Sequence, residues 1–206
     1  MQQTDLPVIT ARGTDVVALL STEHEGLRAS FAQATCPTEG AVRRYEVLKF
    51  ARLLVRHITG EQCVVYPVVA RIAGGDEFRS EMLRQERELA TYLARLLRRL
   101  AWHPGGRGLQ RRIHCFSELL EHHLTYEARS LLPILLALES EQKRQLMGTW
   151  LCRAEALASP RPHPHGPQRP AGLLTIGLAI GIVDRLRNAG SLAARGADVS
   201  RSQDGV

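Results

Sequence analysis

Aromatic residues make up only 5% of this 206-residue chain, and the basic residues are almost all arginine, with lysine only at Lys49 and Lys143. Cysteine occurs four times, at Cys36, Cys63, Cys115 and Cys152, far apart and never as a Cys-x-x-Cys pair. Isolated cysteines argue against a disulfide-stapled scaffold and fit free thiols in a reducing compartment, so a cytoplasmic location is expected. No apolar stretch reaches the roughly 18–20 residues that a bilayer span needs. The first twenty residues lack a positive segment followed by an apolar one, so no secretory signal is expected. His-Glu-x-x-His occurs nowhere, which disfavours a zinc hydrolase. The net charge of +6 raises nucleic acid as a partner. The arginines, however, are interleaved with glutamates, aromatics are few and no recognition motif is present, so no nucleic-acid partner is expected.

What the chain does have is helical periodicity. Leu19, Leu20, Leu27 and Phe31 recur at helical spacing, as do Phe50, Leu53, Leu54 and Ile58. Leu89, Leu93, Leu96, Leu97 and Leu100 continue the pattern, followed by Leu119, Leu120, Leu124, Leu131 and Leu132. Loops at Cys36–Gly40, Gly74–Asp76 and His103–Gly106 divide the pattern into four long helices near 14–35, 40–72, 76–102 and 108–137. A shorter fifth helix is predicted at 139–158. Short connections between long amphipathic helices predict an all-α, up-down-up-down four-helix bundle. Residues 1–13 read as an N-terminal arm. Residues 159–206 form a proline-rich linker followed by an apolar and basic tail, whose segment 172–187 is a docking element for the bundle or a protein partner rather than a membrane span.

The informative feature is an internal repeat. His57-Ile-Thr-Gly-Glu61 and His123-Leu-Thr-Tyr-Glu127 both read His-x-Thr-x-Glu, and each is followed by five residues and then proline, Pro67 and Pro133. A His and a Glu four apart share one helical face, one turn above the other. The first and third helices carry the matching half: laying His24 on Glu86 brings their apolar neighbours into register. Two such halves facing each other supply three histidines and three glutamates (His24, His57, Glu61, Glu86, His123 and Glu127), the demand of a dinuclear metal centre in a bundle core. A lone buried histidine is commonly a hydrogen-bonded core residue, and one His-x-x-x-Glu arises readily by chance. Two copies with the same offset to proline do not, and three carboxylates in a helical core are costly without a cation.

At these residues the sequence resembles the hemerythrin and HHE cation-binding family over roughly 14–137, and the tail resembles that of some actinobacterial members. The resemblance implies a left-turning bundle holding two non-haem irons per chain, bridged by the carboxylates of Glu61 and Glu127, with His24, His57 and His123 as terminal ligands. Manganese is the alternative ion. Oxygen-carrying members use five histidines, two of them on the third helix, whereas here that helix offers Glu86. Extra negative charge and harder oxygen donors stabilise Fe(III) over Fe(II). The site is therefore expected to act on or sense O₂ or peroxide, through catalase-like or ferroxidase-type turnover, rather than carry O₂ reversibly. The competing reading is a metal-responsive regulatory module whose tail docks a partner.

Among other polar residues, Tyr126 reads first as a core tyrosine with its hydroxyl at the bundle edge and second as a group that reaches the metal or one of its ligands, with Tyr66 and Tyr45 as weaker candidates of the same kind. His122 and His114 point away from the His123 face. His103, His163 and His165 fall in loop or linker. Cys63 and Cys115 read as small core residues.

Overall fold

The computed structural model describes residues 14–36, 40–72, 74–102 and 107–158. The arm at 1–13, the tail from 159 onward with its 172–187 segment, and His103, His163 and His165 lie outside the described residues. Helix α1 spans Val16–Thr35, α2 Gly40–Gly60, α3 Tyr66–Val69, α4 Gly75–Trp102, α5 Arg107–Tyr126, α6 Leu132–Leu138 and α7 Glu141–Leu157. Two π-helical turns, Glu61–Val65 and Glu127–Leu131, join α2 to α3 and α5 to α6. The fold is thus an all-helical bundle with an extra helix, as the periodicity predicts, and no described residue is in a strand. No helix among the described residues is long and apolar enough to cross a membrane.

Each long helix buries one apolar stripe, and ionisable residues break each stripe near the same height. On α1, His24 falls between Leu20 and Leu27; on α4, Glu86 falls between Met82 and Leu89. Along the helical segments that carry the repeat, His57 and Glu61 lie between Leu54 and Val65, and His123 and Glu127 lie between Leu120 and Leu131, with Leu124 between them. The interruptions coincide in height and split the core in two. One half gathers Leu27, Phe31, Phe50, Leu93 and Phe116, with the three phenylalanine rings 5.0–5.7 Å apart. The other gathers Val16, Leu20, Val69, Met82, Leu131 and Leu151. A polar layer lies between two apolar ones.

The π turns have a covalent cause. Proline has no N–H and its ring crowds the carbonyl four residues back, so Pro67 and Pro133 cannot continue a regular α ladder. The chain widens by one residue instead. The Tyr66 N–H donates to the Glu61 carbonyl, and the Leu132 N–H donates to the Glu127 carbonyl, both five residues back. Each proline then sits in the first turn of the following α segment, where a missing donor costs nothing. The constant offset between glutamate and proline in the repeat is therefore a backbone instruction.

Helix α7 packs back onto α1, α2 and the first π turn. Asp15 caps α1 by accepting from the Val17 N–H at 2.8 Å, and Arg144 on α7 clamps the same carboxylate at 2.7 Å. Two glycines permit the close approach. A Cβ on Gly60 would stand 2.8 Å from Leu151 Cδ1, and one on Gly148 would collide with the Thr14 carbonyl oxygen. Backbone cannot yield as a side-chain tip can. Gly148→Ala should therefore displace α7 from the start of α1 and destabilise the fold by about 1–3 kcal/mol, read as a lowered thermal midpoint.

Candidate metal centre

All six residues singled out by the repeat meet in the polar layer, each no more than 2% exposed. Donor atoms of His24, His57, Glu61 and Glu127 lie within 4.8 Å of one another, and so do those of Glu61, Glu86 and His123. Glu61 belongs to both groups. Glu127 spans them as well: one of its oxygens is 3.0 Å from His24 Nε2 and 3.5 Å from His57 Nε2, and the other is 3.1 Å from His123 Nε2.

Outer hydrogen bonds decide which way the histidines face. His57 Nδ1 is 2.9 Å from Glu23 Oε2. A carboxylate only accepts, so Nδ1 carries the proton and Nε2 presents a lone pair to the cluster. His123 is fixed in two steps. Glu81 accepts from Gln85 Nε2 at 2.8 Å, which turns the amide oxygen of Gln85 toward His123 Nδ1 at 3.3 Å. The residue immediately before each first-helix ligand, Glu23 before His24 and Gln85 before Glu86, thus orients the histidine of the neighbouring helix.

The atoms left over are informative. His24 Nε2, His57 Nε2, His123 Nε2, Glu61 Oε1 and both carboxylate oxygens of Glu127 are buried without a hydrogen-bond partner. Orphaned buried polar atoms are rare and costly, and here they converge on one volume. Three imidazole nitrogens and carboxylate oxygens are a donor set that suits iron or manganese, so the residues present fit a metal.

The electrostatics describe the same demand. Burial, reinforced by the nearby Glu127 charge, holds the Glu61 carboxyl well above the usual carboxylate range. Burial lifts Glu86 to about 8 against the hydrogen bonds from Tyr66 and Gln62. For Glu127 burial acts the same way, but His123, His24 and His57 outweigh it and hold the carboxyl well below its ordinary value. Burial pushes His123 down to about 4, while for His57 the carboxylates of Glu61, Glu127 and Glu23 overcome burial and keep it well above. Protons stand in for missing positive charge.

The tyrosine that meets the cluster is Tyr66, the weaker candidate of the sequence, and not Tyr126. Tyr66 is buried with its hydroxyl 2.6 Å from Glu86 Oε1 and 3.4 Å from Glu61 Oε2. Tyr126 is half-buried, its ring stacked on Phe78 at 5.6 Å and beside His122 at 6.4 Å. In an α-helix, five residues carry a side chain about 140° round the axis, which would turn Tyr66 away from Glu61. The i→i+5 turn brings it back to the same face. Gln62, Gln85 and Glu23 also meet the cluster without a motif in the sequence that marks them. Gln62 donates to Glu86 Oε2, and position by position the offset to proline was the one available signal for that π turn. Tyr45 is exposed, as are His122 and His114, and Cys63 and Cys115 are half-buried.

A family model described as the hemerythrin HHE cation-binding domain matches residues 15–135. No curated protein and no solved structure matches the chain significantly.

Replacing Glu86 tests the charge account in metal-free protein. Its folded pKa of about 8 lies above the ordinary value of 4.5, so the native state loses stability as pH rises through that window. Glu86→Gln removes the penalty while Gln62 can flip to satisfy the new amide. The variant should match the parent near pH 5 and exceed its thermal midpoint by about 5 °C or more at pH 8.

Proposed function

The chain belongs to the hemerythrin HHE cation-binding family, and from that premise we propose that its six buried side chains hold two iron ions that act on O₂ or peroxide. The observation that carries the reading is the convergence of six orphaned donor atoms from three histidines and two glutamates. His24, His57, Glu61 and Glu127 would hold one ion, and Glu61, Glu86 and His123 the other. Glu61 and Glu127 would lie between the two. Manganese suits the same donors and is the alternative metal.

Two adjacent irons supply paired one-electron changes, which suits two-electron chemistry on oxygen or peroxide. The protein's part is to hold and shield. The apolar layers on either side exclude water from the cluster, and the fixed Nδ1 protons on His57 and His123 keep both rings aimed inward. Tyr66 holds a proton at Glu86, 2.6 Å from Oε1. Glu86 stands where a nitrogen donor would favour Fe(II). Its carboxylate favours Fe(III), which disfavours reversible O₂ carriage and favours peroxide disproportionation or ferroxidase-type turnover. None of the four cysteines is in a disulfide, which agrees with the proposed cytoplasmic setting.

The test is to load the protein with Fe(II) without oxygen and then expose it to O₂ and to peroxide. Two irons per chain, lasting oxidation by O₂ and consumption of peroxide are the expected results. Less than one metal per chain, or a diferrous protein that binds and releases O₂ without oxidation, contradicts the proposal. Glu86→His should shift the balance toward Fe(II), slowing oxidation by O₂ by at least about tenfold. Glu127→Ala should lose most bound metal, because that one carboxylate faces all three histidines.

A further inference from the structure

The two halves of the repeat surround their first-helix residue differently. Around Glu86 the first π turn supplies two hydrogen-bond donors. The buried Tyr66 hydroxyl donates to Glu86 Oε1 at 2.6 Å, and the buried Gln62 amide donates to Oε2. Gln62 follows Glu61 within the turn, and Tyr66 closes it. In the second repeat the places one and five residues after the glutamate hold Ala128 and Leu132. Neither of those side chains has a polar atom. The first-helix residue on that side is His24, whose Nε2 stands 3.0 Å from Glu127 Oε2. Where the first helix offers a carboxylate, the π turn offers donors; where it offers an imidazole, the turn offers none.

We propose that Gln62 and Tyr66 are positioning residues that make position 86 specific for a carboxylate, holding Glu86 toward the metal position it forms with Glu61 and His123. The inference rests on the reading that the six side chains hold metal. It adds what decides between glutamate and histidine at the one place where the two halves carry different ligands.

The physical reason lies in lone pairs. A carboxylate has about four acceptor sites on its two oxygens. One donor on each oxygen of Glu86 therefore leaves sites open for an ion, and a Glu86 oxygen lies within 4.8 Å of donor atoms of Glu61 and His123. A glutamate also has three rotatable side-chain bonds, and two donors from one turn of backbone fix its carboxylate before an ion arrives. Neutral imidazole has a single acceptor nitrogen. Facing Gln62 and Tyr66, an imidazole would either give that nitrogen to a donor, in competition with the ion, or leave a buried donor unbonded, which is costly. His24 meets no such competition. Its Nε2 is buried without a hydrogen-bond donor on it, whereas both oxygens of Glu86 are satisfied. The residues after the two repeat glutamates, Gln62 and Tyr66 against Ala128 and Leu132, thus match the ligand type that each half presents.

Outer partners of metal ligands typically change affinity about 10–100-fold. The test carries the second repeat's residues into the first and reads both binding steps by anaerobic Fe(II) titration of the full chain against a chelator. With Glu86 in place, Q62A/Y66L should weaken one step by at least about tenfold and leave the other within about threefold. E86H alone should weaken that same step by at least about tenfold. Combined with E86H, Q62A/Y66L should instead tighten the step by at least about threefold, a reversal of sign that mere loss of packing does not produce. Circular dichroism checks that each variant keeps its helices. Y66F removes the hydroxyl and almost no volume, and it stands in for Q62A/Y66L in both backgrounds, with the same signs, if that pair does not fold. Loss of the same size in both backgrounds, equal loss at both steps, or binding by E86H equal to the parent's overturns the inference. Failure of the parent itself to take up Fe(II) overturns the reading beneath it.

Discussion

A layer of ionisable side chains crosses the middle of an apolar core, and the rest of the molecule is arranged around that conflict. Burying one unpaired carboxylate is expensive, and this layer buries Glu61, Glu86 and Glu127 within reach of each other. Without a cation the layer can persist only by taking up protons, which is what the raised Glu61 and Glu86 carboxyls express. The apolar halves above and below supply the burial that holds the four helices together around it. Stability resides in the outer layers, and affinity for a positive ion resides in the middle.

The two halves of the bundle follow one plan with unequal parts. Each couples a first-helix residue to a His-x-Thr-x-Glu on the next helix, and each places its glutamate at the head of a proline-imposed π turn. The parts differ in three places. His24 faces Glu86 across the plan, a carboxylate braces His57 where an amide braces His123, and α7 leans on Gly60 where Tyr126 stands in the other half. Both oxygens of Glu86 are already engaged, by Tyr66 and Gln62, whereas the donors around His24 and His57 stand free. A pair of metals in this frame would occupy chemically distinct positions, one richer in nitrogen and one in oxygen.

Much of this is legible in the sequence because it depends on periodicity. The apolar stripes predict the helices, and polar residues breaking those stripes at matching heights predict which six side chains meet. What escapes is whatever depends on backbone departing from the regular period. Tyr66 lies on the wrong face of an α-helix and on the right face of a π turn, so counting residues favoured Tyr126. Glu23 escapes for another reason: it reaches His57 only through the tertiary packing of α1 on α2, which helical periodicity does not show. The proline offset was visible, but its meaning required knowing that a blocked ladder can widen rather than kink.

The central claim is that one polar layer holds two metals in unlike positions, and anomalous scattering from crystals loaded with Fe(II) under anaerobic conditions tests it most directly. The account predicts two iron peaks in the layer, one against His24 and His57 and the other against Glu86 and His123, with Glu61 and Glu127 between them. A single peak, or iron bound anywhere other than this layer, would contradict it.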